Sequence, residues 1–180
     1  MRRAIAIAVV ALTGLAATPA AASAGDSFNP SPVKHVTVNG GSFGYRTVGS
    51  GPPLVMIMGF TGTMTEWDPA LVGRLSQSHR VIVFDNRGMG ESVDAPVAGL
   101  TIEGMADDTA ALIEALVPSG RAHVLGWSMG SYIGEMLALR HPGRVRRLVL
   151  AGSDPGSPHA IQDSPQVNAV LSDPATTPDS

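Results

Sequence analysis

The 180-residue sequence contains no cysteine. Disulfide scaffolds, thiolate metal sites and cysteine nucleophiles are therefore excluded. No H-E-x-x-H occurs, and His35, His79, His123, His141 and His159 stand singly. Metal catalysis has no ligand spacing to support it, and no metal or cofactor is expected. Charged residues are few, 15% against 44% apolar, the balance of a globular chain rather than a disordered one. The dense basic cluster, "RVRRLVL" from Arg144, enters an apolar run and reads as the edge of a strand. With a net charge of −3, the chain carries no electrostatic footprint for nucleic acid.

The N-terminal apolar run is too short for a membrane span. In "MRRAIAIAVVALTGLAATPAAASAGD" two arginines precede Ala4 to Leu15, broken only by Thr13 and Gly14, and Ala22-Ser23-Ala24 follows. A bilayer helix needs about 20 predominantly apolar residues. The order of basic, apolar and A-x-A elements reads instead as a secretory leader, residues 1–24, cleaved after Ala24. The mature protein is thus expected to be secreted, extracellular or periplasmic, with no stable membrane anchor. Losing Arg2 and Arg3 takes the formal charge from −3 to −5.

Past a Pro/Ser/Asn stretch at 25–33, "HVTVNGGSFGYRTVG" predicts a hairpin, with His35–Val38 and Gly44–Val48 flanking an Asn-Gly-Gly turn. Leu54–Met58 and Arg80–Asp85 are continuous apolar runs suited to strands covered on both faces. A helix carrying Leu71, Val72 and Leu75 lies between them. In "TIEGMADDTAALIEALVP", Ile102, Met105, Thr109, Leu112, Ile113 and Leu116 recur at helical spacing, and Pro118-Ser119-Gly120 ends the helix. "AHVLGW" and "VRRLVLAG" are two further strands around a helix, "MGSYIGEMLALRHP". This alternation predicts an α/β fold, a doubly wound, mostly parallel sheet with helices on both faces. After Gly152 the pattern stops in a Pro/Ser/Asp-rich tail with one short helical candidate at Val167–Leu171.

G-x-S-x-G appears as Gly126-Trp127-Ser128-Met129-Gly130, with a predicted strand before it and a helix after it. That context makes Ser128 a candidate nucleophile on a sharp strand-to-helix turn, rather than only a helix N-cap. Gly126 and Gly130 fit because a Cβ at either position would collide with the neighbouring strand or helix. "LVMIMGFTGTMTEWDP", "VIVFDNRGMGES" and "VLGWSMGS" occur in that order, and over about residues 35–153 the chain resembles the α/β-hydrolase superfamily. The resemblance implies an oxyanion hole built from the backbone N–H groups of Phe60 and Met129. Many relatives carry a histidine where this chain has Met58. A dinucleotide-fold reading of Gly88-x-Gly90 fails, because its third glycine would fall at Val93. Asp85, Arg87, His123 and His141 read as structural, and Trp67 as core packing.

A serine needs a base and an orienting acid, which in this fold follow the nucleophile in the order Asp or Glu, then His. After Ser128 only His141 and His159 remain, and neither follows a later apolar strand. Asp154 follows a strand end, and His159 lies five residues beyond it, a weak pairing. The expectation is therefore a core over residues 25–153, with 154–180 the start of a cap and the acid and histidine beyond Ser180. The resemblance implies a serine hydrolase acting on a small-molecule ester, amide or related bond through an acyl-enzyme. A cofactor-free haloperoxidase or perhydrolase would use the same serine. A truncated, inactive binding module is the non-catalytic alternative.

Overall fold

The computed structural model describes residues 8–9, 31–154 and 164–166. Among the described residues, seven strands form one sheet: β1 (Ala8–Val9), β2 (Lys34–Val38), β3 (Gly41–Val48), β4 (Pro53–Ile57), β5 (Arg80–Phe84), β6 (Ala122–Trp127) and β7 (Val145–Ala151). Their spatial order is β1-β7-β6-β4-β5-β3-β2. Helices α1 (Pro69–Ser76), α2 (Ile102–Leu116) and α3 (Met129–Arg140) connect the strands from β4 onward.

The hairpin forms as predicted but with a tighter turn. Asn39 and Gly40 both take positive φ, 46° and 71°, so two residues turn the chain and β3 begins at Gly41, opposite Val38. An Asn-Gly pair tolerates that conformation because both residues reach the left-handed region at low cost. β3 then pairs antiparallel with β5, while β5, β4, β6 and β7 run parallel. Ala8–Val9 is a strand that the sequence reading does not anticipate; it pairs in parallel with Val149 and Leu150. The rest of the leader, the helical candidate at Val167–Leu171 and most of the expected cap lie outside the described residues.

The apolar runs behave as strands buried on both faces. In β4, Val55 and Ile57 face one core while Leu54 and Met56 face the other; in β5, Ile82 and Phe84 alternate in the same way with Val81 and Val83. The first core is closed by α2 and α3, through Met105, Leu112, Ile113, Ile133 and Leu137. The second is closed by α1 through Val72, with Trp67 and Met64 beside it. Topology explains the division. From β4 the chain steps outward to β5, then crosses back over β4 to β6 and onward to β7. Right-handed crossovers in opposite directions place their helices on opposite faces. Of the apolar residues on α1, Val72 is buried while Leu71 is 39% exposed, because α1 turns Val72 and not its neighbour towards the sheet.

Among the ion pairs that tie α2 to its surroundings, those at Asp108 and Asp107 differ in burial, and burial decides their weight. Arg87 donates Nε to Asp108 Oδ2 and Nη2 to Asp108 Oδ1, both at 2.7 Å, with side-chain exposures of only 10% and 6%. Asn39 Nδ2 adds a third bond to Asp108 at 3.0 Å. The hairpin turn, the segment after β5 and α2 are thereby joined. At the other pair, Asp107 accepts from Arg140 Nη2 at 2.9 Å and meets His141 Nε2 at 2.6 Å, but it is 37% exposed. Arg140, and then His141, hold the Asp107 carboxyl below its ordinary range.

Asp108→Ala removes the carboxylate from Arg87, which keeps Pro96 O and Asn39 O as acceptors, and is expected to cost about 1.5–3 kcal/mol, read by chemical denaturation. Asp107→Asn is expected to cost less and to do so in a pH-dependent way. A depressed folded-state pKa contributes stability above the unfolded value, about 3.9, and that contribution is lost as pH falls through the folded value. The difference between the melting curves of wild type and Asp107→Asn should therefore be full at pH 7, begin to shrink near the unfolded value of about 3.9, and vanish only below the depressed folded value.

Candidate active site

The parallel strands reverse their order of addition between β4 and β6. Such a switch point opens a crevice at the carboxyl ends of the strands. The loop after β4 and the turn after β6 meet there.

Ser128 makes that turn, with φ 53° and ψ −122°, a region that non-glycine residues rarely occupy. It separates the end of β6 at Trp127 from the start of α3 at Met129. Its N–H donates to Ala151 O at 2.8 Å, and its carbonyl accepts from Ser131 N at 2.8 Å. Ser131 is fully buried. Its hydroxyl lies 2.9 Å from both Gly126 O and Ala151 O and accepts from Ala151 N at 3.2 Å. One buried hydroxyl thus joins β6, β7 and the turn.

The flanking glycines are required by space. A Cβ on Gly126 would overlap the carbonyl of Gly130, and one on Gly130 would overlap the carbonyl of Ile57. The expected collisions are real and involve backbone atoms, which cannot swing aside. Gly59 packs against the serine itself: a Cβ there would lie 3.1 Å from Ser128 Cβ and 3.3 Å from Trp127 O. Phe60 follows directly and is 73% exposed, so its side chain adds little packing there. Met129 is the first residue of α3, where helical N–H groups have no intrahelical acceptor.

The segment after β5 braces this loop. Asp85 Oδ1 accepts from Met64 N at 2.5 Å and Oδ2 accepts from Glu91 N at 2.8 Å. Burial outweighs these two donors and pushes the Asp85 carboxyl above its ordinary range. The structural reading of Asp85 agrees with these bonds, and Arg87 braces α2 rather than its own turn. Sequence reasoning missed Asn86 and Ser131. Asn86 is 2% exposed and donates Nδ2 to Met58 O at 3.0 Å. A polar residue within a buried apolar context was the available signal for both.

A groove of about 320 Å³ lies beside the turn, lined by Met58, Glu66, Trp67, Asp68, Leu71 and Trp127. Trp67 serves the core, at 5% exposure, and also walls this groove. Among the described residues, no histidine or carboxylate hydrogen-bonds the Ser128 hydroxyl. His141 is held by Asp107 at the far end of α3. His123 lies near the start of β6, edge-on to His79 with ring centroids 5.7 Å apart, and burial is the chief cause of its lowered pKa. Asp154 accepts from Tyr132 Oη at 3.0 Å. Burial first, then Asp154, raises the Tyr132 phenol and the Glu135 carboxyl. His159 lies outside the described residues.

Gly130→Ala forces a backbone shift where helix meets strand. It is expected to cost about 1–3 kcal/mol or more, read by chemical denaturation, whereas Gly143→Ala, where a Cβ meets open space, should cost far less.

The family model for the alpha/beta hydrolase fold matches residues 52–176. The chain is 37% identical over 103 residues to "Putative carbamate hydrolase RutD" of Variovorax paradoxus, covering 57% of this chain and 38% of that protein. It is 41% identical over 107 residues to "Putative non-heme bromoperoxidase BpoC" of Mycobacterium tuberculosis, covering 59% and 40%. Among solved structures, an alpha/beta hydrolase fold protein from Chitinophaga pinensis aligns with TM-score 0.64 and 31% identity, over 70% of this chain and 46% of that one. A crystal structure of the N-acyl homoserine lactonase AidH aligns with TM-score 0.67 and 28% identity, over 77% and 53%. The chain therefore spans about two fifths of the length of the curated relatives it matches. Matched over most of its length by the family model, the chain belongs to the α/β-hydrolase family.

Proposed function

We propose that the protein is a secreted serine hydrolase that cleaves an ester, amide or related bond of a small molecule through an acyl-enzyme on Ser128. The observation that carries this reading is the Ser128 backbone at φ 53°, set between strand and helix with Gly59 against its Cβ. Oγ attacks the substrate carbonyl carbon, and the carbonyl oxygen takes up the negative charge. The N–H groups of Phe60 and Met129 are the assigned donors to that oxyanion, and such donors are worth about 10²–10³ each in rate. The tetrahedral species then expels the alcohol or amine, which takes the proton released by Ser128, and water releases the acid.

The base and orienting acid for Ser128 are assigned to sequence outside the described residues, since the described histidines are committed elsewhere. Export rests on the leader at 1–24, with its Ala22-Ser23-Ala24 site. A perhydrolase or haloperoxidase reaction on the same serine is the second reading, favoured by the relative named a non-heme bromoperoxidase.

Ser128→Ala is expected to abolish fluorophosphonate labelling and to lower kcat/KM for a p-nitrophenyl ester by at least about 10³-fold. Unchanged turnover in that variant would rule out the acyl-enzyme. Peroxide-dependent halogenation exceeding ester turnover would select the second reading.

A further inference from the structure

We infer that Asp85 and Asn86, consecutive at the end of β5, clamp the two ends of the loop after β4 and so hold the Gly59–Phe60 backbone beside Ser128. Asn86 is thereby a positioning residue, and the assignment rests on the serine-hydrolase reading above. β4 and β5 are parallel neighbours, with Met56 opposite Val83, so both chains leave the sheet at the same edge. Asn86 reaches across to the start of the loop, donating Nδ2 to Met58 O at 3.0 Å in a buried bond. Asp85 reaches to its end, accepting Met64 N at 2.5 Å.

Between those anchors Gly59 and Gly62 are buried, while Phe60 and Thr61 at the tip are exposed. Phe60 is 73% exposed and Thr61 sits at φ 61°. The close contacts are inward: a Cβ on Gly62 would lie 2.7 Å from Met58 Cγ, and Gly59 already abuts Ser128. The position of the Phe60 N–H is therefore set by what holds residues 58 and 64. A carbonyl can only accept, so the orientation of the Asn86 amide is fixed by Met58 O. Burying an amide is unfavourable unless it is bonded, and an apolar side chain would serve for packing alone. What the amide adds is direction. An oxyanion donor must stand about 2.7–3.1 Å from the developing charge, and a misplacement of about 1 Å costs roughly 10²-fold in rate.

The test uses the intact protein with Asn86→Leu and Asn86→Ser, the second chosen because it adds no bulk should the first fail to fold. Each variant is compared with Thr101→Ala, which removes the α2 N-cap bond to Gly104 N and no bond of the loop. With a p-nitrophenyl ester, both Asn86 variants should lose about 10–100-fold in kcat with KM within about threefold of wild type. Affinity for a boronic acid that forms a tetrahedral adduct should fall in parallel with kcat. Thr101→Ala should melt earlier with kcat unchanged. Folded Asn86 variants that keep kcat within twofold, or that change KM alone, overturn the clamp while leaving the serine reading intact. Wild-type protein that takes up no fluorophosphonate at Ser128 overturns the serine reading, and this assignment with it.

Discussion

The backbone of Ser128 is the constraint around which the site is arranged. A non-glycine residue at φ 53° carries about 1–3 kcal/mol of strain. The bonds from Ser128 N to Ala151 O and from Ser131 N to Ser128 O each return about 0.5–1.5 kcal/mol. Hydrogen bonding alone roughly offsets the strain. What decides the matter is packing: Gly126 against Gly130, and Gly130 against Ile57, bring helix and strand so close that no relaxed turn fits between them. The serine is strained because its neighbours are small.

That closeness follows from topology. β6 lies between β4 and β7, so its turn is bordered on one side by the loop after β4 and on the other by the end of β7. The loop after β4 supplies Gly59 and Phe60, the segment after β5 supplies Asp85 and Asn86, and β7 supplies the Ala151 carbonyl. Parallel strands end at one edge, and residues distant in sequence meet there without any long-range side-chain reach. The ion pair of Arg87 with Asp108 then fixes the segment after β5 to α2, so that the brace is itself held.

Much of this was legible in the sequence, for physical reasons. Leu54–Ile57 and Val81–Phe84 are apolar at every position, which only strands buried on both faces require, and both are found so. α2 spans Ile102–Leu116, and Met105, Thr109, Leu112 and Ile113 of the predicted spacing are buried in it. Gly126 and Gly130 announced tight packing, and the backbone overlaps bear that out. What escaped were features that depend on direction rather than pattern. Leu71 and Val72 are both apolar, and only the tilt of α1 decides which one meets the core. Asn86 and Ser131 carry no periodic signal; their bonds to Met58 O and Ala151 O exist only once β5, β4 and β7 are neighbours.

The same geometry limits how Ser128 can be activated. Its backbone is bonded to Ala151, and Gly152, at φ 68°, turns the chain away beside it. α3 lies beneath, and Gly59 closes the β4 side. Asp154, the first carboxylate after β7, is drawn to Tyr132 on α3, so it is already committed to the helix. The approach left to a base is over Trp127, 51% exposed, and Phe60, 73% exposed. On the proposed serine reading, a base would have to reach Ser128 across that exposed side, because strand, helix and loop close the others.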